Sequence, residues 1–194
     1  MGKLIAVLIL AFGLTSATAV PALANPLYEL GPVTGSAAPS IGTPLDETGK
    51  PRALESLMGD KGLVLVFFRS AAWCPYCQAQ LIDINKGAAE IAKRGYGLAA
   101  ISYDQPSVQA DFIANHGIRY TLLSDPKSEV IDRYNLRDPQ YKAGSKAYGV
   151  PRPIIFILDR KGVIQAKLYE ETYLTRPPVG LVIQTLDKVA AATN

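Results

Sequence analysis

Cys74 and Cys77 are the only thiols in the chain, and two residues separate them. Joined to each other they would close a very small loop, and the entropy that a cross-link removes from an unfolded chain grows with loop length. The pair is therefore poorly suited to stapling a fold and well suited to exchanging its disulfide. The species that does such chemistry is a thiolate. At positions i and i+3 of a helix start, both sulfurs lie on one side and the helix dipole favours the anion there. The spacing predicts that the outer cysteine, Cys74, attacks and that Cys77, one turn below, resolves the mixed disulfide.

Zinc sites and some copper carriers use the same spacing. Zinc needs four ligands, however, and the one histidine, His116, falls at the end of a different predicted helix, where it reads as a solvated residue. No metal and no cofactor is expected.

The elements around the dithiol follow from hydrophobic period. Leu63 to Phe68 is a continuous, partly β-branched apolar run bounded by Gly62 and Arg69, which predicts a buried central strand. Beyond Cys77, Leu81, Ile84, Ala88 and Ile91 recur at helical spacing, so the dithiol opens an amphipathic helix. Pro75 suits its first turn, where a missing N–H costs nothing, and Gly95 suits its end. Further along, the pattern predicts a short helical turn at 53–58, strands at 98–103 and 120–123, and helices at 106–115 and about 127–134. Ile154 to Leu158 and Val163 to Tyr169 read as strands joined by Asp159-Arg160-Lys161-Gly162 in an antiparallel hairpin, with a last helix over 179–191. Strands alternating with helices predict an α/β fold in which a largely parallel sheet, mixed at its hairpin end, carries helices on both faces.

The first residues predict the compartment. Lys3 precedes an apolar run from Leu4 to Leu14, too short to span a bilayer comfortably, and Ala22-Leu23-Ala24 offers a cleavage site. Residues 1–24 read as a signal peptide, residues 25–45 as an irregular lead-in rich in Pro, Gly, Ser and Ala, and 46–194 as one domain. Removing the leader leaves 170 of the 194 residues, a length suited to a single core, and lowers the net charge only from +3 to +2. No run of Lys or Arg clusters that charge, so neither nucleic-acid binding nor membrane-surface binding is expected after cleavage. The expected setting is periplasmic or extracellular, where a dithiol pair points to redox work.

Trp73-Cys74-Pro75-Tyr76-Cys77 after an apolar strand resembles a thioredoxin-type active site. The flanks resemble the redoxin family, also called the alkyl hydroperoxide reductase and thiol-specific antioxidant (AhpC/TSA) family. Three stretches carry the likeness: 67–81, 122–134 and 149–159, the last reading Gly-Val-Pro-Arg-Pro-Ile-Ile-Phe-Ile-Leu-Asp. The resemblance implies a thioredoxin-like fold and substrate contacts from Trp73, Pro75, Tyr76, Arg152 and Pro153. It also implies a cis-proline facing the cysteines, a place that Pro153 matches, with Pro151 the competing position. Protein or small-molecule thiols and disulfides are the implied partners.

Departures from the family pattern bear on activity. Peroxiredoxins carry a Thr three residues before the peroxidatic Cys and a Pro four residues before that Thr. With Cys77 in the peroxidatic place those positions hold Cys74 and Ser70; with Cys74 there, the Thr place holds Ala71. The Asp that thioredoxins bury six residues before the first Cys is Phe68 here. The first expectation is thus an exported thiol-disulfide oxidoreductase, with a thiol peroxidase acting on hydroperoxides as the alternative and a redox-sensitive binding protein or metal chaperone as the third. The Cys-Pro-Tyr-Cys tetrapeptide also occurs in glutaredoxins, which are shorter. Finally, the polar stretch 135–149, with Arg137, Lys142, Lys146, Tyr141, Tyr148 and the adjoining Tyr134, lacks any apolar period and is expected to form a mobile rim over Cys74.

Overall fold

The computed structural model describes residues 30–192; the predicted leader and residues 25–29 of the lead-in lie outside the described residues. Six strands form one sheet: β1 (Leu45–Asp46), β2 (Gly62–Phe67), β3 (Tyr96–Ser102), β4 (Thr121–Ser124), β5 (Ile154–Asp159) and β6 (Ile164–Leu168). Their order across the sheet is β1-β4-β3-β2-β5-β6. Parallel pairing is confined to β2, β3 and β4, while β1, β5 and β6 each run antiparallel to a neighbour, so the sheet is more mixed than the βαβ pattern alone predicts. The Asp159–Gly162 turn makes the expected hairpin: Gly162, at φ 78, takes the left-handed conformation that glycine adopts freely, and Asp159 Oδ1 accepts from the N–H groups of Lys161 and Val163.

β2 lies at the centre because every one of its residues is apolar or glycine and all are buried. Val64 pairs with Leu98 of β3 on one side and Ile157 of β5 on the other. The strand's period of two then sorts its side chains into two cores. Val64, Val66 and the following Phe68 join Leu81, Ile84, Phe112 and Leu186 on one face. These last residues come from α1 (Pro75–Lys93), α2 (Pro106–His116) and α4 (Val179–Ala192). Leu63, Leu65 and Phe67 join Phe156, Val130 and Tyr134 on the other, where α3 (Glu129–Arg133) and the 3-10 turn Leu54–Leu57 pack.

Two segments differ from their sequence reading. The lead-in is irregular, but it is part of the core: Leu30 and Ile41 are buried, and Ser36 and Ala38 bond across to Ile164 and Gly162. Its Pro and Gly content reflects the path of a strap over a finished surface. Tyr134, grouped with the rim, is fully buried, with its ring 4.8 Å from Phe67 and 5.5 Å from Phe156. It sits at the end of α3, facing the sheet.

Where β3 passes the 3-10 turn the backbones nearly touch: a Cβ on Gly97 would lie 1.9 Å from the Leu57 carbonyl oxygen. Gly97→Ala therefore forces the turn away from the sheet. It is expected to lower the unfolding free energy by about 1–3 kcal/mol, the usual range for overpacking, as read by urea denaturation.

Candidate active site

The chain leaves β2, makes a tight passage through Arg69 to Trp73, and enters α1 at Pro75, with Cys74 as the helix N-cap. The Cys74 carbonyl accepts from the N–H groups of Cys77 and Gln78, which sets the first turn and brings both sulfurs to one side. Gln78 Nε2 reaches back to the Ala71 carbonyl at 2.7 Å and pins the passage to the helix. The two sulfurs lie 2.6 Å apart. Both residues are buried, Cys74 2 % and Cys77 0 % exposed, so the outer cysteine is scarcely more open than the inner one.

Burial alone would push both thiols up. The Cys74 thiol is driven well above its ordinary value, first by its bond with Cys77 and then by burial. Cys77 is brought down to about 6, first by the bond from Cys74, then by the Ser70 backbone and the Arg176 guanidinium, against the cost of its own burial. The Arg69 N–H donates to Cys77 Sγ at 3.4 Å and Arg176 Nη2 at 3.5 Å. The favoured anion is therefore on Cys77, at the inner position, whereas spacing alone points to Cys74.

Around the sulfurs stands an aromatic and cationic wall. The buried Arg69 guanidinium lies 4.3 Å from the Tyr173 ring centre, 5.0 Å from Tyr141 and 5.2 Å from Trp73, and it donates to the Tyr141 hydroxyl. Such cation–π contacts strengthen when desolvated. Trp73 Nε1 donates to the Tyr103 hydroxyl at 2.8 Å, which in turn donates to the Lys146 carbonyl at 3.0 Å. Residues 135–149 are thus fastened beside the dithiol through Tyr141 and Lys146. Arg137 turns away, paired to Asp132 at 2.7 Å and lying against the Tyr148 ring.

Of the other predicted contacts, Trp73 and Tyr76 are exposed at the mouth, about 43 % and 42 % respectively. Pro75 takes the first helical position. Arg152 and Pro153 line a cleft of about 330 Å3 with Asp138, Glu170 and Tyr173. The expected cis peptide at Pro153 is not found: every peptide bond among the described residues is trans. The segment runs extended into β5, with Arg152 N–H donating to Leu136 O at 2.7 Å and Pro151 bridging to Arg137, and a trans bond, the lower-energy form of any X-Pro peptide, fits that path. His116 lies exposed at the end of α2, its ring 4.4 Å from Phe112.

Sequence reasoning passed over Arg69, Arg176, Tyr173 and the buried Asp104, whose carboxylate accepts from Ser70 Oγ at 2.8 Å and the Ala71 N–H at 2.7 Å. A signal existed for Asp104, because polar residues just past the C-terminal end of a parallel strand sit where α/β folds build their sites. Arg176 gave none: 99 residues separate it from Cys77.

The opposed shifts of the two thiols make stability depend on pH in a particular way. A group whose folded pKa is depressed adds stability above its unfolded value that is lost as pH falls through the folded one, and a raised group does the reverse. Between about 6 and the ordinary thiol value of 9.0, the reduced protein is expected to gain stability with pH through Cys77; above 9.0 it is expected to lose it through Cys74. The readout is the difference in unfolding free energy between the reduced wild type and a Cys74→Ser/Cys77→Ser variant. A flat difference from pH 6 to 9 would contradict the assignment of the anion.

The chain is similar to known proteins over most of its length. Residues 34–167 match the AhpC/TSA family model. The chain is 30 % identical over 135 residues to a putative peroxiredoxin of Mycobacterium tuberculosis, covering 70 % of this chain and 83 % of that protein. It is 29 % identical over 131 residues to the peroxiredoxin Bcp of Escherichia coli, covering 68 % and 81 %. The crystal structure of peroxidoxin BcpB from M. tuberculosis superposes with a TM-score of 0.67 at 24 % identity, over 81 % of this chain and 96 % of that one. With most of its length matched, and with a strand-to-helix dithiol on a thioredoxin-like sheet, the chain belongs to the AhpC/TSA family.

Proposed function

We propose that the protein is a peroxiredoxin-like thiol peroxidase in which Cys77 is the peroxidatic residue and Cys74 resolves it. The observation that carries this reading is the set of groups that converge on Cys77 Sγ, the Arg69 N–H at 3.4 Å, the Arg176 guanidinium at 3.5 Å and the Cys74 sulfur at 2.6 Å, which together favour an anion there. The names of its relatives favour the same reading over general disulfide exchange. In the first step the Cys77 thiolate attacks one oxygen of a hydroperoxide; the O–O bond breaks, sulfur becomes a sulfenic acid, and the other oxygen leaves as an alcohol or water after protonation. The Cys74 sulfur then displaces hydroxide from the sulfenic sulfur, which leaves as water and forms the Cys74–Cys77 disulfide. Two external thiols reduce that bond and are themselves oxidised to a disulfide.

Cys74 stands where peroxiredoxins carry Thr, so a thiol takes the place of the hydroxyl beside the nucleophile, and resolution needs no movement between distant segments. Its nearness to Cys77, 2.6 Å, supports this economy. We also propose that this activity is exported, on the strength of the apolar run at 4–14 and the Ala22-Leu23-Ala24 site. N-terminal sequencing of protein recovered from the periplasm or medium should then begin at Asn25, and retention of Met1 would refute export by cleavage.

With dithiothreitol as recycling thiol, the wild type is expected to consume hydrogen peroxide or an organic hydroperoxide catalytically. Cys77→Ser should fall to the uncatalysed rate. Cys74→Ser should still react once and accumulate a sulfenic acid at Cys77 that dimedone traps. Trapping at Cys74 in Cys77→Ser would reverse the roles, and wild-type reduction of insulin disulfides without peroxide consumption would replace the reading by disulfide exchange.

A further inference from the structure

Asp104 lies two residues past the end of β3, buried to 7 % exposure, and no basic side chain contributes to its surroundings. Its carboxylate is held by three donors: the Ser70 hydroxyl on Oδ1 at 2.8 Å, and the Ala71 N–H and Ser102 hydroxyl on Oδ2 at 2.7 and 3.0 Å. Burial pushes its pKa up and these bonds oppose the rise. A buried carboxylate without a cation is a poor source of stability. What it supplies instead is direction, because two of its three donors belong to the passage between β2 and the dithiol.

The wiring leaves the passage little freedom. Ser70 Oγ accepts from the N–H groups of Ala72 at 3.0 Å and Trp73 at 3.4 Å, so its own hydrogen must go to an acceptor, and Asp104 is that acceptor. Asp104 is itself fixed from below. Its N–H donates to Ser102 Oγ, Ser124 Oγ donates to its carbonyl at 2.6 Å, and Gln109 Nε2 bridges Ser102 Oγ to the Leu123 carbonyl. Rigid strands β3 and β4 thereby clamp residues 70–73. The groups that bond to Cys77 belong to the same passage: the N–H of Arg69, one residue before the clamped segment, and the backbone of Ser70 within it.

We infer that Asp104 is a positioning residue for Cys77: its carboxylate orients the Ser70–Trp73 turn so that the adjoining backbone N–H groups point at the sulfur. The inference rests on Cys77 being the nucleophile of the proposed reaction. An Asn at 104 cannot replace it. Whichever way the amide is turned, its NH2 faces either the Ser70 hydroxyl, whose lone pairs are already used, or the Ala71 N–H.

The sign of the effect separates positioning from simple charge. Removing a negative charge near a thiolate stabilises the anion and lowers its pKa, whereas loosening its N–H donors raises it. In reduced, folded protein titrated by thiolate absorbance at 240 nm, Asp104→Asn is expected to move the Cys77 midpoint upward by about one pH unit, roughly a tenfold loss of thiolate below the midpoint. Ser70→Ala, which removes the relay without changing any charge, should move it in the same direction by less. Near-ultraviolet circular dichroism reports whether each variant is folded, and if Asp104→Asn is not, Ser70→Ala decides. A midpoint unchanged or lowered in the folded variants would overturn the inference and leave Asp104 a structural clamp. The titration uses no peroxide, so a wild type that fails to turn over hydroperoxide defeats the functional reading while leaving this result separately readable.

Discussion

The proposed reaction puts a negative charge on a sulfur with no exposed surface, and that constraint is the one to which the rest of the site answers. Water cannot solvate Cys77, so the protein must supply in fixed positions the hydrogen bonds and positive potential that solvent would give freely. Each contribution comes from a different level of structure. The helix start gives dipole and geometry, the end of β2 gives backbone N–H groups, a neighbouring cysteine gives a close sulfur contact, and the connection before α4 gives a guanidinium. None of these is strong alone, and moving any one by an ångström weakens it steeply.

The sheet is what makes such placement reliable. β2, buried on both faces and paired on both edges, cannot shift register without repacking both cores and breaking two ladders at once, so the point at which the chain exits toward the dithiol is fixed. The parallel neighbours β3 and β4 end on the same side, and their trailing polar residues become the scaffold of the exit passage. On the outer side, Arg69 is kept in place by rings instead of a carboxylate. Aromatic faces hold the cation and tie the segments that carry Trp73, Tyr141 and Tyr173 to the end of β2.

Most of the fold was legible because it is written locally. Continuous apolar runs mark β2, β3 and β5, Pro75 marks the start of α1, and the Asp-x-x-Gly turn marks the hairpin; each found its structural counterpart within a residue or two. The dithiol and its helix are equally local. What sequence could not show is what the fold brings together from afar: Tyr141 and Tyr173 onto Arg69, Arg176 onto Cys77. Spacing orders the two cysteines by exposure, whereas the balance between them depends on their own contact and on groups 7 to 99 residues away, which spacing does not show. Pro153 shows the opposite hazard, a motif position read as cis where the chain runs extended and trans into β5.

The strap that opens the described chain bears on how the molecule comes together. Residues 35–38 bond to 162–164, and β1 pairs with β4, so the earliest residues close against partners some 80 to 130 positions later. Contacts of that separation, the central β2–β5 pairing among them, demand loop closure before they return any stabilisation, which slows folding as a whole. Until the hairpin of β5 and β6 exists, Leu30 and Ile41 have no finished surface to cover. The strap therefore closes over a surface that later residues must first complete, and acts as its clasp.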